Sequence, residues 1–501
     1  MEIANTGKAQ ELSVISSDVT SVHEVSEEFV LPDYIPEIRK LLLCRASVMP
    51  EGRFITENGV DASGTVAYLV IYTDDEGRLC SVPLSSSYEA QIASPGVGGS
   101  VFVDTVVEST TPRVNAPRSI SIKTRMKTRI LATQGKEFKE NISPRSSADE
   151  IYLERQKSQM QGFEISSCAL NNIRMSDKFD MPSTKKARPL WCDATLVVNE
   201  YKTQSRSISV RGQVQIKCIC QGQDDIFTLT KTLPLAEELE CEQSRSGLMA
   251  RVQGKCVSLS ISNEMSNDLT QLFFDVCCEL YAEVLEPRDA EITTDCYSTR
   301  YESEQEYKEI EAYSAVKMAS ASFSLSEQVK KKSGEKTKII DQMATPVYEK
   351  GEIKGKRMTL SGRMLVDTVE QTTDVDNEQY SVSTYELPFK YEAELPRECS
   401  DCVIRASMDV SGVSARDDGD RVYINAQLHP SYTVLEKTRV TALHSMTVNK
   451  DEEIKKDASC VRVYFPKGSD TLWEVAKKYH TTVSKIKADN GIDELCGNII
   501  V

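Results

Sequence analysis

Along most of the chain, apolar and polar residues alternate with a period of two. Ile120, Ile122, Thr124, Met126, Thr128 and Ile130 are interleaved with Ser121, Lys123, Arg125, Lys127 and Arg129. Val214, Ile216, Cys218 and Cys220 alternate with Gln213, Gln215 and Lys217, and only Ile219 breaks the rhythm. Val257, Leu259 and Ile261 alternate with serines, and Val422, Ile424, Ala426 and Leu428 run likewise. Successive side chains of a strand point to opposite faces, so each segment predicts a strand with one buried and one solvated face. That is the habit of antiparallel sheets. Gly-containing turns such as Asp75-Glu76-Gly77 punctuate the pattern.

Only the last forty residues change period. Val461, Val463 and Phe465 read as a short strand, then Leu472, Val475, Ala476 and Tyr479 fall at helical spacing. Asp470 stands where a side-chain oxygen can cap the free N–H groups of that helix. Thr482 caps a second helix whose Val483 and Ile486 share a face, and Asn490-Gly491 closes it. Asn498–Val501 can pair back on the first strand, giving a βααβ module.

The β-patterned body repeats itself. CRASV at Cys44, CDATL at Cys192 and DQMATP at Asp341 each lead to a strand carrying a glycine. From Ala46 to Gly64 is 18 positions, as it is from Ala194 to Gly212 and from Ala344 to Gly362. A proline with an apolar neighbour follows each time: Pro83-Leu84, Pro234-Leu235 and Pro388-Phe389. The expected fold is mainly β: three tandem antiparallel β units, each a sandwich or open barrel, followed by a small α+β module. The expected bounds are a flexible tail over 1–25, β units over 26–130, 166–296 and 321–445, and the module over 460–501. Charged connectors over 131–165 and 297–320 read as helices or tethers, and 446–459 as a mobile linker.

Composition narrows the function. The 501 residues are 40% hydrophobic, enough to build cores, and the net charge of −16 argues against nucleic acid as a principal ligand. No apolar run approaches the ~20 residues a spanning helix needs, so no membrane span is predicted. No basic-then-apolar N-terminal pattern of a signal peptide is visible, which predicts a chain made and kept in a cytoplasm. Nine of the 15 cysteines lie between Cys168 and Cys296 and read as small buried apolar residues. The one C-x-x-C, Cys399–Cys402, has no second pair at zinc-ribbon distance, so no metal site is predicted.

Catalytic chemistry is equally sparse. There are four histidines (His23, His429, His444 and His480), and no H-E-x-x-H, P-loop or G-x-S-x-G occurs. No catalytic or cofactor-binding residue is therefore assigned. The basic stripe Lys123, Arg125, Lys127 and Arg129 reads as an exposed sheet face or a dock for an acidic partner. Trp191 reads as core, and Trp473 as packing between the module's helix and sheet.

The C-terminal pattern resembles the LysM domain, whose D-T-L-W-x-I-A core stands here as Asp470, Thr471, Leu472, Trp473, Val475 and Ala476. Thr482 matches the second-helix cap and Asn490 the closing residue. The resemblance implies a glycan groove lined by the strand–helix loop and the loop after the second helix. It implies Gly468, Asp470, Thr471, Leu472, Asn490, Gly491 and Ile492 as partner- or glycan-binding residues. Ser469, inserted between Gly468 and Asp470, and the short ending LCGNIIV both depart from the family in those loops. The repeats ahead of it, with their Ala-x17-Gly spacing, are similar to the SPOCS domains of endospore-forming Firmicutes. That likeness implies a non-enzymatic spore-coat morphogenetic scaffold, in the mother-cell cytoplasm at the forespore surface. It would dock through its LysM module on SpoIVA, the coat-basement ATPase, or on another coat protein. The LysM likeness alone implies the alternative, binding of peptidoglycan or N-acetylglucosamine polymers in cortex or wall.

Overall fold

The computed structural model describes residues 10–94, 97, 99–138, 141–144, 152–181, 187–222, 225–266, 269–332, 337–372, 379–455, 462–495 and 497–501. The alternating segments become long antiparallel strands. In the first unit these are β1 (Gln10–Val30), β2 (Lys40–Thr56), β3 (Gly59–Thr73), β4 (Leu79–Ala93), β5 (Ser100–Ala116) and β6 (Ser119–Phe138). They form two three-stranded sheets, β1-β6-β5 and β2-β3-β4. Tyr68, Val70 and Tyr72 of one sheet pack against Ile120, Ile122 and Met126 of the other, so the unit is a sandwich.

The topology then recurs. After the short β7 (Asn141–Pro144), the second unit comprises β8 (Leu153–Lys178), β9 (Arg188–Gln204), β10 (Ser207–Gln221), β11 (Ile226–Glu240), β12 (Met249–Ser266) and β13 (Leu269–Ser298). Its sheets are β8-β13-β12 and β9-β10-β11, the same order as before. The third comprises β14 (Tyr301–Ser320), β15 (Phe323–Lys330), β16 (Thr337–Lys354), β17 (Arg357–Thr372), β18 (Tyr380–Glu394), β19 (Cys402–Asp417) and β20 (Arg421–Glu453). Here β14 and β15 pair successive stretches of β20 and share the place that β1 or β8 fills alone.

The repeat spacing has a backbone cause. Two-residue turns join β2 to β3, β9 to β10 and β16 to β17, so the Ala and Gly of each repeat are fixed points on one hairpin. Opposite each motif glycine the pairing slips by one residue: Gly64 faces Pro50 while Ser63 faces Gly52, Gly212 faces Val198 while Arg211 faces Glu200, and Gly362 faces Tyr348 while Ser361 faces Lys350. A β-bulge brings the partner backbone close. A Cβ on Gly212 would stand 2.2 Å from the Val197 carbonyl oxygen, and one on Gly362 2.1 Å from that of Val347. The prolines are less regular than their spacing suggests. Pro234 and Pro388 each face the residue after the motif glycine, whereas Pro83 faces Leu69 and Ser87 takes the equivalent place. All three sit on edge strands, where a missing N–H costs no ladder bond.

Strands also occupy segments expected to be tail, connectors and linker. Residues 10–25 belong to β1, 153–165 to β8, 301–320 to β14 and 446–453 to β20. Charge complementarity explains this. Asp18 pairs with Arg129 (2.9 Å) and Glu24 with Lys123 (2.7 Å), so an acidic strand neutralises the basic stripe of β6 from within. Glu108 on β5 takes Arg125 at 2.6 Å. The acidic β14 likewise sets Glu311 against Lys437 (2.6 Å) and Arg439 (3.0 Å) of β20. Residues 1–9, 139–140, 145–151 and 456–459 of those expected segments lie outside the described residues.

The three units share several apolar clusters, and one of these is built from equivalent positions. Ile71, Ile219 and Val369, each seven residues after its motif glycine, are fully buried in a single cluster with Leu42, Leu190 and Ile340, each four before its motif alanine. Every pair of units is stitched there by polar contacts. Trp191 Nε1 donates to Asp341 (2.9 Å) and Lys217 Nζ to the same carboxylate (2.6 Å). Arg45 donates to the Ala344 carbonyl (2.7 Å), and Ser81 to that of Leu190. A second three-way layer lies deeper: the Arg251 guanidinium covers the Phe102 ring at 4.0 Å, Gln253 donates to Ser407 (3.3 Å) and Arg405 to Thr133 (3.2 Å).

The C-terminal module contains β21 (Val463–Tyr464), α1 (Leu472–Lys478), α2 (Val483–Asn490) and β22 (Ile499–Ile500), with β21 and β22 antiparallel. It is docked on the second unit. Tyr297 of β13, 1% exposed, completes the module's own core beside Val475, Ala476 and Ile486. Trp473, packed against the module core, also stacks edge-on against Tyr297 (5.0 Å) and donates from Nε1 to Asp295 (2.8 Å), so it joins the module to the body. Lys477 also bonds Asp295 (2.7 Å), and Tyr297 donates to the Thr481 carbonyl (2.6 Å). Burial pushes the Asp295 carboxyl up, but hydrogen bonds from Lys477, Tyr307 and Trp473 outweigh it and hold it below the usual range.

Four outcomes are expected. Gly212→Ala should cost about 1–3 kcal/mol in denaturant unfolding, because the bulge carbonyl has to move. Trp191→Ala, which empties the junction, should cost about 3–5 kcal/mol by the same measurement. In a Trp191→Phe background the fluorescence of Trp473 should red-shift with Asp295→Ala, as the module leaves the body. The same shift should appear on acidification: a carboxyl with a depressed folded pKa stabilises above ~4 and loses that contribution as pH falls below it.

Candidate binding site in the C-terminal module

Two loops flank the helices of the module, and local chemistry shapes both. Asp470 does not cap α1; its carboxylate accepts from the Lys467 backbone N–H (2.7 Å) and the Tyr464 hydroxyl (2.7 Å), closing the first loop on itself. Those bonds hold its pKa below the usual carboxylate range and push the Tyr464 hydroxyl up to about 12. The cap is Thr471, in a capping box: its hydroxyl accepts from Glu474 N–H (3.2 Å) while the Glu474 carboxylate accepts from Thr471 N–H (2.8 Å). Thr482 caps α2 as its position predicts, accepting from Lys485 N–H at 3.0 Å.

The second loop is held by Asn490. Its amide donates to the Ile486 and Ile500 carbonyls (2.9 and 2.7 Å) and accepts from Ile500 N–H (2.6 Å), clamping α2 to β22. Gly491 ends the helix in a left-handed conformation, φ +64°. Leu472 and Ile492 are half-buried and pack on the module core. The seven residues expected in the site thus divide by role. Asp470, Asn490, Leu472 and Ile492 shape the loops, whereas Gly468, Thr471 and Gly491 are exposed. A Cβ at Gly468 or Gly491 would meet nothing within 4 Å.

The module meets the body through Trp473, Lys477, His480 and Thr481. These residues belong to α1 and the turn after it and to neither loop. This docking face was not legible in sequence, since its partners Asp295 and Tyr297 lie more than 170 positions away.

Titratable groups also gather in a cavity of about 520 Å³ between the three units, lined by Asp104, Lys255, Tyr281, Asp409 and His429 among others. Burial, with Asp104 adding to it, pushes the Asp409 carboxyl up to about 6. His429 lies opposite Asp409 on the neighbouring strand and shares a 2.7 Å hydrogen bond with Ser411, while burial lowers its pKa. Ser411 is itself buried and does not line the cavity. In the second unit, Cys192 faces Cys218 (Sγ–Sγ 2.6 Å) and Cys256 faces Cys278 (3.5 Å) across paired strands, within one apolar core.

No helix among the described residues is long and apolar enough to cross a membrane. No curated protein and no solved structure matches the chain. One family model does match, over residues 467–494, which span both loops and both helices. The C-terminal module is a LysM domain, a binding module and not a catalytic one.

Proposed function

We propose that the chain is a non-enzymatic scaffold that presents its LysM loops to a partner on a fixed β platform. The observation that carries this reading is the docking of α1 on β13. Trp473, Lys477 and Thr481 are engaged with the body, while Gly468, Thr471 and Gly491 stay exposed. A module held this way pays little ordering entropy on binding, which favours affinity through preorganisation.

The likeness of the repeats to SPOCS domains supports a spore-coat setting, in which the partner is the coat-basement ATPase SpoIVA at the forespore surface. The inserted Ser469 and the Asp470 carboxylate already committed to Lys467 and Tyr464 favour a protein surface over a sugar chain. A second reading is favoured by the LysM match itself: LysM domains suggest binding of peptidoglycan or N-acetylglucosamine polymers.

The full chain is the right reagent, because removing the body strips Tyr297 from the LysM core. Immobilised SpoIVA should retain the full chain, and Gly468→Trp should weaken retention about tenfold or more, ~1.4 kcal/mol, with an unchanged melting temperature. Loss of retention by the wild-type chain, with co-sedimentation on purified peptidoglycan instead, would replace the first reading by the second. A fluorescent fusion should form a shell around the forespore; a vegetative-wall signal would count against it.

A further inference from the structure

The C-x-x-C that stands alone in sequence acquires a third ligand in space. Cys399 lies in the loop after β18, Cys402 opens β19, and Glu436 is the residue directly opposite Cys402 on β20. Both sulfurs and a Glu436 carboxylate oxygen lie within 4.8 Å of one another, and all three residues are half-buried. We propose that Cys399, Cys402 and Glu436 form a binding site for a thiophilic divalent cation, zinc in the first place, with solvent at the fourth corner.

Geometry and charge both fit. Zn–S bonds of about 2.3 Å and Zn–O bonds of about 2.0–2.2 Å place tetrahedral ligands roughly 3.5–3.8 Å apart. The three atoms therefore need to draw together by only about 1 Å. Two thiolates and a carboxylate carry three negative charges, of which the cation cancels two. Arg397 offsets the third: its guanidinium lies 2.8 Å from the Glu436 carboxylate and is anchored by Ser314 at 3.2 Å. Such an outer partner orients a ligating carboxylate. Asp401, between the cysteines, is turned to Arg439 at 3.4 Å and leaves the site to the three ligands. Two sulfur donors select zinc over magnesium or calcium. Binding releases the two thiol protons to solvent, so affinity rises with pH. The bound ion ties the β18–β19 loop to β20, the central strand of the third unit.

The test is a cobalt titration of the reduced, metal-free full chain. One equivalent of Co2+ should give thiolate-to-metal charge transfer and the d–d bands of a tetrahedral centre, both abolished by Zn2+. Cys399→Ser and Cys402→Ser should each remove the charge-transfer band. Glu436→Gln should keep it but weaken binding at least roughly tenfold. Cys192→Ser, in one of the close cysteine pairs of the second unit, should change nothing. Zinc should raise the melting temperature of the wild type and not of Cys399→Ser. The proposal is overturned if the bands survive either serine variant, if Glu436→Gln leaves affinity unchanged, or if the reduced chain takes up no cobalt.

Discussion

A three-stranded sheet packed on another three-stranded sheet covers its faces but not its ends. Each unit of this chain leaves an apolar end where β3, β10 or β17 runs out, carrying Ile71, Ile219 or Val369. Three such ends close on one another, and everything else is arranged around that junction. The buried Asp341 makes it specific as well as apolar. It accepts from Trp191 and Lys217 of the second unit, so its charge is compensated, and sliding one unit past another would strand it. The contacts of Arg45 and Ser81 bind the first unit to both of the others.

Beyond the junction the long strands of the three units stay packed on one another: Phe138 of the first, Met160 and Ile292 of the second and Ala312 and Ala442 of the third share one apolar cluster. The end of β13 is where the LysM domain sits, and Tyr297 belongs to two cores at once: it ends a body strand and fills the module. Asp295 beside it gathers Trp473, Lys477 and Tyr307 into one network. This arrangement turns a module that its sequence makes look tethered into one held at a defined angle. Trp473 and Lys477 of the first LysM helix are thus engaged with the body, while Gly468, Thr471 and Gly491 of the loops stay exposed.

Much of this was legible beforehand, and the reasons are physical. Period-two alternation reports a one-sided sheet whatever the partner strand is, so the β units and their order could be read directly. The constant Ala-to-Gly spacing is the length of one hairpin with a two-residue turn and a bulge, a local quantity. Helix caps are local too, yet Asp470 shows the limit: its position predicts the cap of α1, but the loop claims its carboxylate and the neighbouring Thr471 caps the helix. The acidic segments misled because charge alone describes a solvated tail and a charge-matched edge strand equally well. Only the basic residues of β6 and β20 opposite them distinguish the two.

The sequence by itself therefore determined the alternating strands within each unit, the threefold repeat and the LysM helices, because each depends on neighbours within a few tens of positions. The tertiary structure alone decided the three-way junction, the docking of Trp473 on Tyr297 and the meeting of Glu436 with the C-x-x-C. The first two depend on which strand ends come together, since Trp191 and Asp341 lie 150 positions apart in sequence and Trp473 and Asp295 lie 178. The third depends on the β19–β20 register, which sets Glu436 opposite Cys402.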